Sequence, residues 1–150
     1  MKRMLVAALA ASALLAPRLA SAHCQVPCGI YDDPARIAQL KEDAATIAKA
    51  VTGLAELAGK PDAQSWNQAI RWTVTKEDHA SRIMTTVAEY FLAQRVKPAA
   101  PGTEGWQGYV ESLADHHAVM RAAMKAKQTA SAEAVTELDA AIATLAKRYP

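Results

Sequence analysis

The sequence predicts an all-α fold: an antiparallel four-helix bundle with an N-terminal metal-binding hook, preceded by a cleavable signal peptide. Three observations predict the bundle. Apolar residues recur at three- and four-residue steps in four separate stretches. No stretch alternates polar and apolar residues as a half-buried strand would. Gly- and Pro-bearing or otherwise short connectors separate the four. The composition agrees. Of 150 residues, 51% are hydrophobic and 21% charged, which fits one domain with a real core and excludes wholesale disorder.

Residues 1–22 read as a secretory leader. Met1-Lys2-Arg3-Met4 is a short positive start, Leu5 to Ala16 is apolar or small, and Pro17-Arg18 breaks the run. Ala20 and Ala22 are the small residues a signal peptidase selects, with cleavage after Ala22. A run of this length rises about 18 Å, well short of the roughly 30 Å hydrocarbon core, so it does not read as a membrane anchor. His23 ahead of Cys24 is too bulky for a lipoprotein site. Cleavage leaves 128 residues with 14 basic and 15 acidic side chains, net −1, where the whole chain stands at +2. Neither value nor any basic cluster points to nucleic acid. The mature protein is expected in the periplasm or outside the cell, free of the membrane once a signal or maturation peptidase has acted.

The bundle is expected over residues 32–150. Asp33 can cap the first helix with Pro34 at its first position. Ile37, Leu40, Ala44, Ile47, Val51 and Leu54 form its apolar face, and Gly59 and Pro61 end it. Ser65 and Gln68 suggest a capping box for the second helix. Its stripe runs from Trp66 and Ile70 to Tyr90 and Phe91, ending about Arg95, with a possible bend near Thr75. Lys97 to Gly102 is a connector. Trp106, Tyr109, Val110, Leu113, Met120 and Met124 stripe the third helix. Ser131 caps a fourth carrying Val135, Leu138, Ile142 and Leu145. The aromatic and Met residues of these stripes are expected in the core. His116 and His117 read as polar surface or helix-edge residues, and His79 as structural. No Glu-x-x-His pair of a di-iron bundle and no Cys-x-x-Cys-His haem site is present.

The chemistry sits where the leader is cut. The mature chain begins His23-Cys24-Gln25-Val26-Pro27-Cys28-Gly29-Ile30-Tyr31. The free amine of His23 and the backbone nitrogen of Cys24 can close one five-membered chelate ring. That nitrogen and the Cys24 thiolate can close another. The Cys28 thiolate can return to the fourth corner, with Pro27 and Gly29 supplying the turn. The His23 imidazole can approach axially. A plane of two nitrogens and two thiolates suits Ni(II) or Cu(II), and its charge donation favours a redox-active metal. Two other readings of the same residues stay open: a Cys24–Cys28 disulfide in an exported helical module, and a nickel or copper carrier without catalysis.

His-Cys-x-x-Pro-Cys-Gly-x-Tyr at residues 23–31, behind a cleaved leader and ahead of a four-helix chain, resembles the nickel superoxide dismutase family. Arg71, Lys76-Glu77, Tyr90-Phe91 and Lys97-Pro98 are weaker similarities. The resemblance implies a homohexamer with one nickel ion per subunit. The His23 amine and imidazole, the Cys24 backbone nitrogen and thiolate, and the Cys28 thiolate would be its ligands. It also implies a hook shaped by Pro27, and a role for Tyr31 over the open metal face, ordering small molecules. The metal would alternate between Ni(III) and Ni(II), turning superoxide into dioxygen and hydrogen peroxide. Family members orient the axial histidine with a carboxylate–arginine pair. Here His79 stands where that arginine is expected, Glu42 is the nearest helix-one carboxylate, and Gln25 replaces a family aspartate.

Overall fold

A computed structural model describes residues 29–150, so the leader and His23, Cys24 and Cys28 lie outside the described residues. The described residues form four helices and no strand: α1 (Asp33–Leu57), α2 (Ala63–Thr85), α3 (Trp106–Gln128) and α4 (Ala132–Ala146). A π-helical segment, Thr86–Arg95, prolongs α2 without a break. Successive helices pack side by side, and α4 returns against α1, which closes an antiparallel square. None of these helices is long and apolar enough to cross a membrane.

Local chemistry sets the helix ends. The cap of α1 is Asp32 rather than Asp33: its carboxylate accepts the Ala35 amide at 3.0 Å. Asp33 is thereby the first helical residue, free to reach across the bundle. For α2 the cap is Asp62, which accepts the Ser65 amide at 2.9 Å and the Ser65 hydroxyl at 2.6 Å. The expected Ser65–Gln68 box is replaced by this pair. The helix α2 runs unbroken through Thr75. Ser131 caps α4 as its sequence suggests, accepting the Ala134 amide. Gly59 turns the chain after α1 at φ +77°, a left-handed conformation that a side chain would strain.

The core runs from Ile37 to Val51 on α1 and from Ala80 to Phe91 on the long second rod. It continues from Val119 to Ala126 on α3 and from Ala134 to Leu145 on α4. On α3 the inner stripe is made of small residues, Val119, Ala122, Ala123 and Ala126. Val110, Leu113 and Met124 are each more than a third exposed, contrary to expectation. Trp66 also departs from the expected core: it is 62% exposed, and Ile70 and Val74 lie on the same open face.

The reason is helix length. The buried Lys76 amine donates to the carbonyls of Ala126 and Lys127, capping the C-terminal end of α3. Residues of α2 before Lys76 therefore extend beyond α3. The overhang from Ala63 to Lys76 is about 20 Å of helix, supported mainly by the end of α1. Within it Trp72 packs so closely on Gly53 that a β-carbon there would meet the indole nitrogen at 2.6 Å.

Candidate metal centre

The candidate site is built at the end of the bundle from which the hook departs. Tyr31 precedes α1 and is partly buried. Its ring meets the Tyr90 ring edge-on, with centroids 6.0 Å apart. The Arg95 guanidinium lies 4.4 Å from the Tyr31 centroid, a cation–π contact. Tyr31, which ends the 23–31 motif, is thus held against the π-helical segment just ahead of α1.

Asp33 anchors this clamp. Arg95 grips its carboxylate with two nitrogens, Nε at 2.8 Å from Oδ1 and Nη2 at 2.6 Å from Oδ2. The Tyr90 hydroxyl donates to Asp33 Oδ1 at 2.7 Å and accepts the Asp32 amide at 2.8 Å. Burial pushes the Asp33 carboxyl up, but the hydrogen bonds from Arg95 and Tyr90 and the Arg95 charge outweigh it, holding the acid below its ordinary range. Burial, with the hydrogen bond to Asp33, pushes Tyr90 up to about 12. The hydrogen bond with Asp33 holds Arg95 above its ordinary value. The wide winding of Thr86–Arg95 puts Tyr90, Phe91 and Gln94 into the interior and Arg95 against Asp33, and π-helical turns are frequent at functional sites.

A groove of about 700 Å³ opens beside this clamp between α1 and α2. Arg36, whose guanidinium lies 5.4 Å from the Tyr90 centroid, lines it together with Gln39, His79, Arg82 and Thr86. His79 Nδ1 lies 2.6 Å from Asp43 Oδ1. The Arg82 guanidinium lies 2.7 Å from His79 Nε2 and 3.3 Å from Asp43 Oδ1. Asp43 is buried, and its Oδ2 has no partner among the described residues. The carboxylate that meets His79 is therefore Asp43, while Glu42, the candidate suggested by sequence, is exposed.

His79 is held by an acid and an arginine. His116 is not the surface residue expected. It is wholly buried, with Nδ1 2.6 Å from the Ser112 carbonyl and Nε2 2.8 Å from the Tyr149 hydroxyl, whereas His117 is exposed. Burial holds His116 below its ordinary value. Both Asp43 and His116 had a readable signal. Asp43 lies three residues after Leu40 and four before Ile47, on the apolar stripe, and His116 lies three before Val119.

Among the described residues no group of three or more His, Cys, Asp or Glu is arranged to hold a metal. The side chains whose chemistry fits nickel are those of residues 23–28, an imidazole and two thiols on one short segment, which cleavage before His23 would complete with an amine. The profile described as nickel-containing superoxide dismutase matches residues 18–150. The chain belongs to that family. It is accordingly an oxidoreductase with nickel as its cofactor and superoxide as its substrate. No curated protein and no solved structure matches it significantly.

Proposed function

We propose that the processed N-terminus is the active site, with the His23 amine and imidazole, the Cys24 nitrogen and thiolate and the Cys28 thiolate as nickel ligands. The observation that carries this reading is the clamp on Tyr31, which fixes the root of a segment holding a complete nickel donor set. Bound nickel supplies a one-electron couple between Ni(III) and Ni(II). Two superoxide ions and two protons give one dioxygen and one hydrogen peroxide.

The residues of the chain position this chemistry. Tyr31, held by Arg95 and Tyr90, orients small molecules at the metal face and holds water as a proton source. The Asp43–His79–Arg82 cluster replaces the carboxylate–arginine pair of the family, and Asp43 Oδ2 is the free acceptor for the His23 side of the hook. Any steering of the superoxide anion comes from local cations, Arg36, Arg82 and Arg95, because net charge supplies none. The protein is exported, cleaved after Ala22, and assembles as a homohexamer.

Intact mass, N-terminal sequence and nickel content of the exported protein test the processing. Adding one residue before His23 is expected to abolish superoxide turnover, since an amide replaces the amine, and full activity in that variant refutes the ligand set. Cys24→Ser and Cys28→Ser should each lose the redox-active nickel while keeping the helical circular dichroism. A preparation with an intact Cys24–Cys28 disulfide and no nickel supports the structural module instead. Nickel bound without superoxide turnover supports the carrier.

A further inference from the structure

The Tyr149–His116 pair belongs to neither the hook nor the groove between α1 and α2. The Ser112 carbonyl can only accept, so His116 Nδ1 carries the ring proton and donates to it at 2.6 Å. His116 Nε2 is therefore the bare nitrogen, and the Tyr149 hydroxyl donates to it at 2.8 Å. A phenol with an aligned neutral base is arranged to lose an electron and a proton together, which avoids forming a high-energy phenol cation.

The pair is also wired to the site. Tyr31 meets Tyr90 at 6.0 Å, Tyr90 meets Phe91 at 4.9 Å, and Phe91 meets Tyr149 at 4.5 Å between centroids. From the geometry we infer that this ring series is a protective redox relay, drawing oxidising equivalents from the hook end to a Tyr149 radical stabilised by His116.

Near the hook, superoxide passes one electron to the peroxide product, giving dioxygen, hydroxide and hydroxyl radical, and the hydroxyl radical becomes hydroxide by taking one electron through the rings. Tyr149 supplies that electron, and its phenolic proton moves to His116 Nε2, leaving a neutral tyrosyl radical and an imidazolium. Superoxide returns one electron to the radical and leaves as dioxygen, while the proton moves back from Nε2 to the phenolic oxygen. Both electrons and the proton balance.

Two features favour Tyr149 as the resting place. Among the described residues the only acceptor for the Tyr90 proton is Asp33, a carboxylate already held below its ordinary range and so a poor base. Tyr149 also lines a cleft of about 480 Å³ with Arg95, Lys97 and Arg148, an approach for an anionic reductant. Of these, Arg95 pairs with Asp33, Arg148 with Asp115, and Lys97 donates to the Gln94 carbonyl.

The relay rests on the proposed nickel site only for the origin of the oxidant, so its core is testable without metal. The nickel-free mature chain is flash-oxidised with a ruthenium tris-bipyridine sensitiser and persulfate, freeze-quenched, and read by electron paramagnetic resonance with ring-deuterated tyrosine. One dominant tyrosyl signal is expected. Tyr149→Phe, which keeps the ring packing, should lose most of it, and His116→Gln should slow its formation. An undiminished signal in Tyr149→Phe overturns the relay even if His116→Gln does not fold. In the nickel-loaded protein, Tyr149→Phe should keep the initial superoxide turnover but inactivate faster in added peroxide, and equal inactivation overturns the protective role. Failure of superoxide turnover in the wild type would instead count against the dismutase site.

Discussion

The two ends of the bundle are built on opposite terms. At the hook end, side chains of α1, the π-helical segment, α3 and the C-terminal residues pair across the bundle. Asp33 is held by Arg95 and Tyr90, His116 by Ser112 and Tyr149, and the rings of Tyr31, Tyr90, Phe91 and Tyr149 touch in series. At the far end, α2 overhangs α3 and leaves Trp66, Ile70 and Val74 open. Apolar residues are present at both ends, so composition does not explain the contrast. Helix length does: a side chain is core only where a facing helix is long enough to cover it.

The comparison breaks most sharply at Phe91. Phe91→Ala empties the centre of the hook end and should cost about 3–5 kcal/mol, read as a lower urea midpoint. Asp33→Ala removes the anchor for Arg95 and Tyr90 and should cost about 2–3 kcal/mol in the same measurement. Its influence has a defined pH sense. Because the folded acid is held below its ordinary value, its stabilisation is full above the unfolded pKa and disappears as pH falls through the folded one. His116 acts with the same sign at higher pH. Its folded pKa is lowered by burial, so stability should decline as pH falls below the ordinary histidine range, and His116→Gln should flatten that decline.

Lys76→Met probes the boundary between the two ends. It leaves the Ala126 and Lys127 carbonyls without their buried donor and should cost about 1–3 kcal/mol by thermal melting. The smallest effect belongs to the overhang: Trp66→Ser in the single chain should change stability by about 0.5 kcal/mol or less. A loss as large as that of Phe91→Ala would show that the overhang is covered in the folded protein and that the contrast between the ends is false.

Four helices, their connectors and the cap at Ser131 were legible because they depend on residues near one another in the chain. Facing was less legible. Bulky side chains marked the stripe of α3, yet its inner face is Val119, Ala122, Ala123 and Ala126, since close packing against neighbours favours small residues there. The cap of α1 shifted from Asp33 to Asp32 because two adjacent acids compete for one position, and the second is needed by Arg95. Tyr31 was legible as a candidate site residue from its place at the end of the 23–31 motif. Arg95 was not, because its partners lie at the opposite end of the sequence.

The amino-acid sequence by itself determined the helical class and pointed to the family, and the proposed nickel ligands His23, Cys24 and Cys28 are read from it alone. Those properties follow from local spacing and ligand chemistry. Only the tertiary structure decided which acid meets His79, that His116 is buried against Tyr149, and that Trp66 stays outside. Each depends on where two helices end relative to one another and on which side chains then share an enclosed space, a matter of long-range packing that spacing along one helix does not encode.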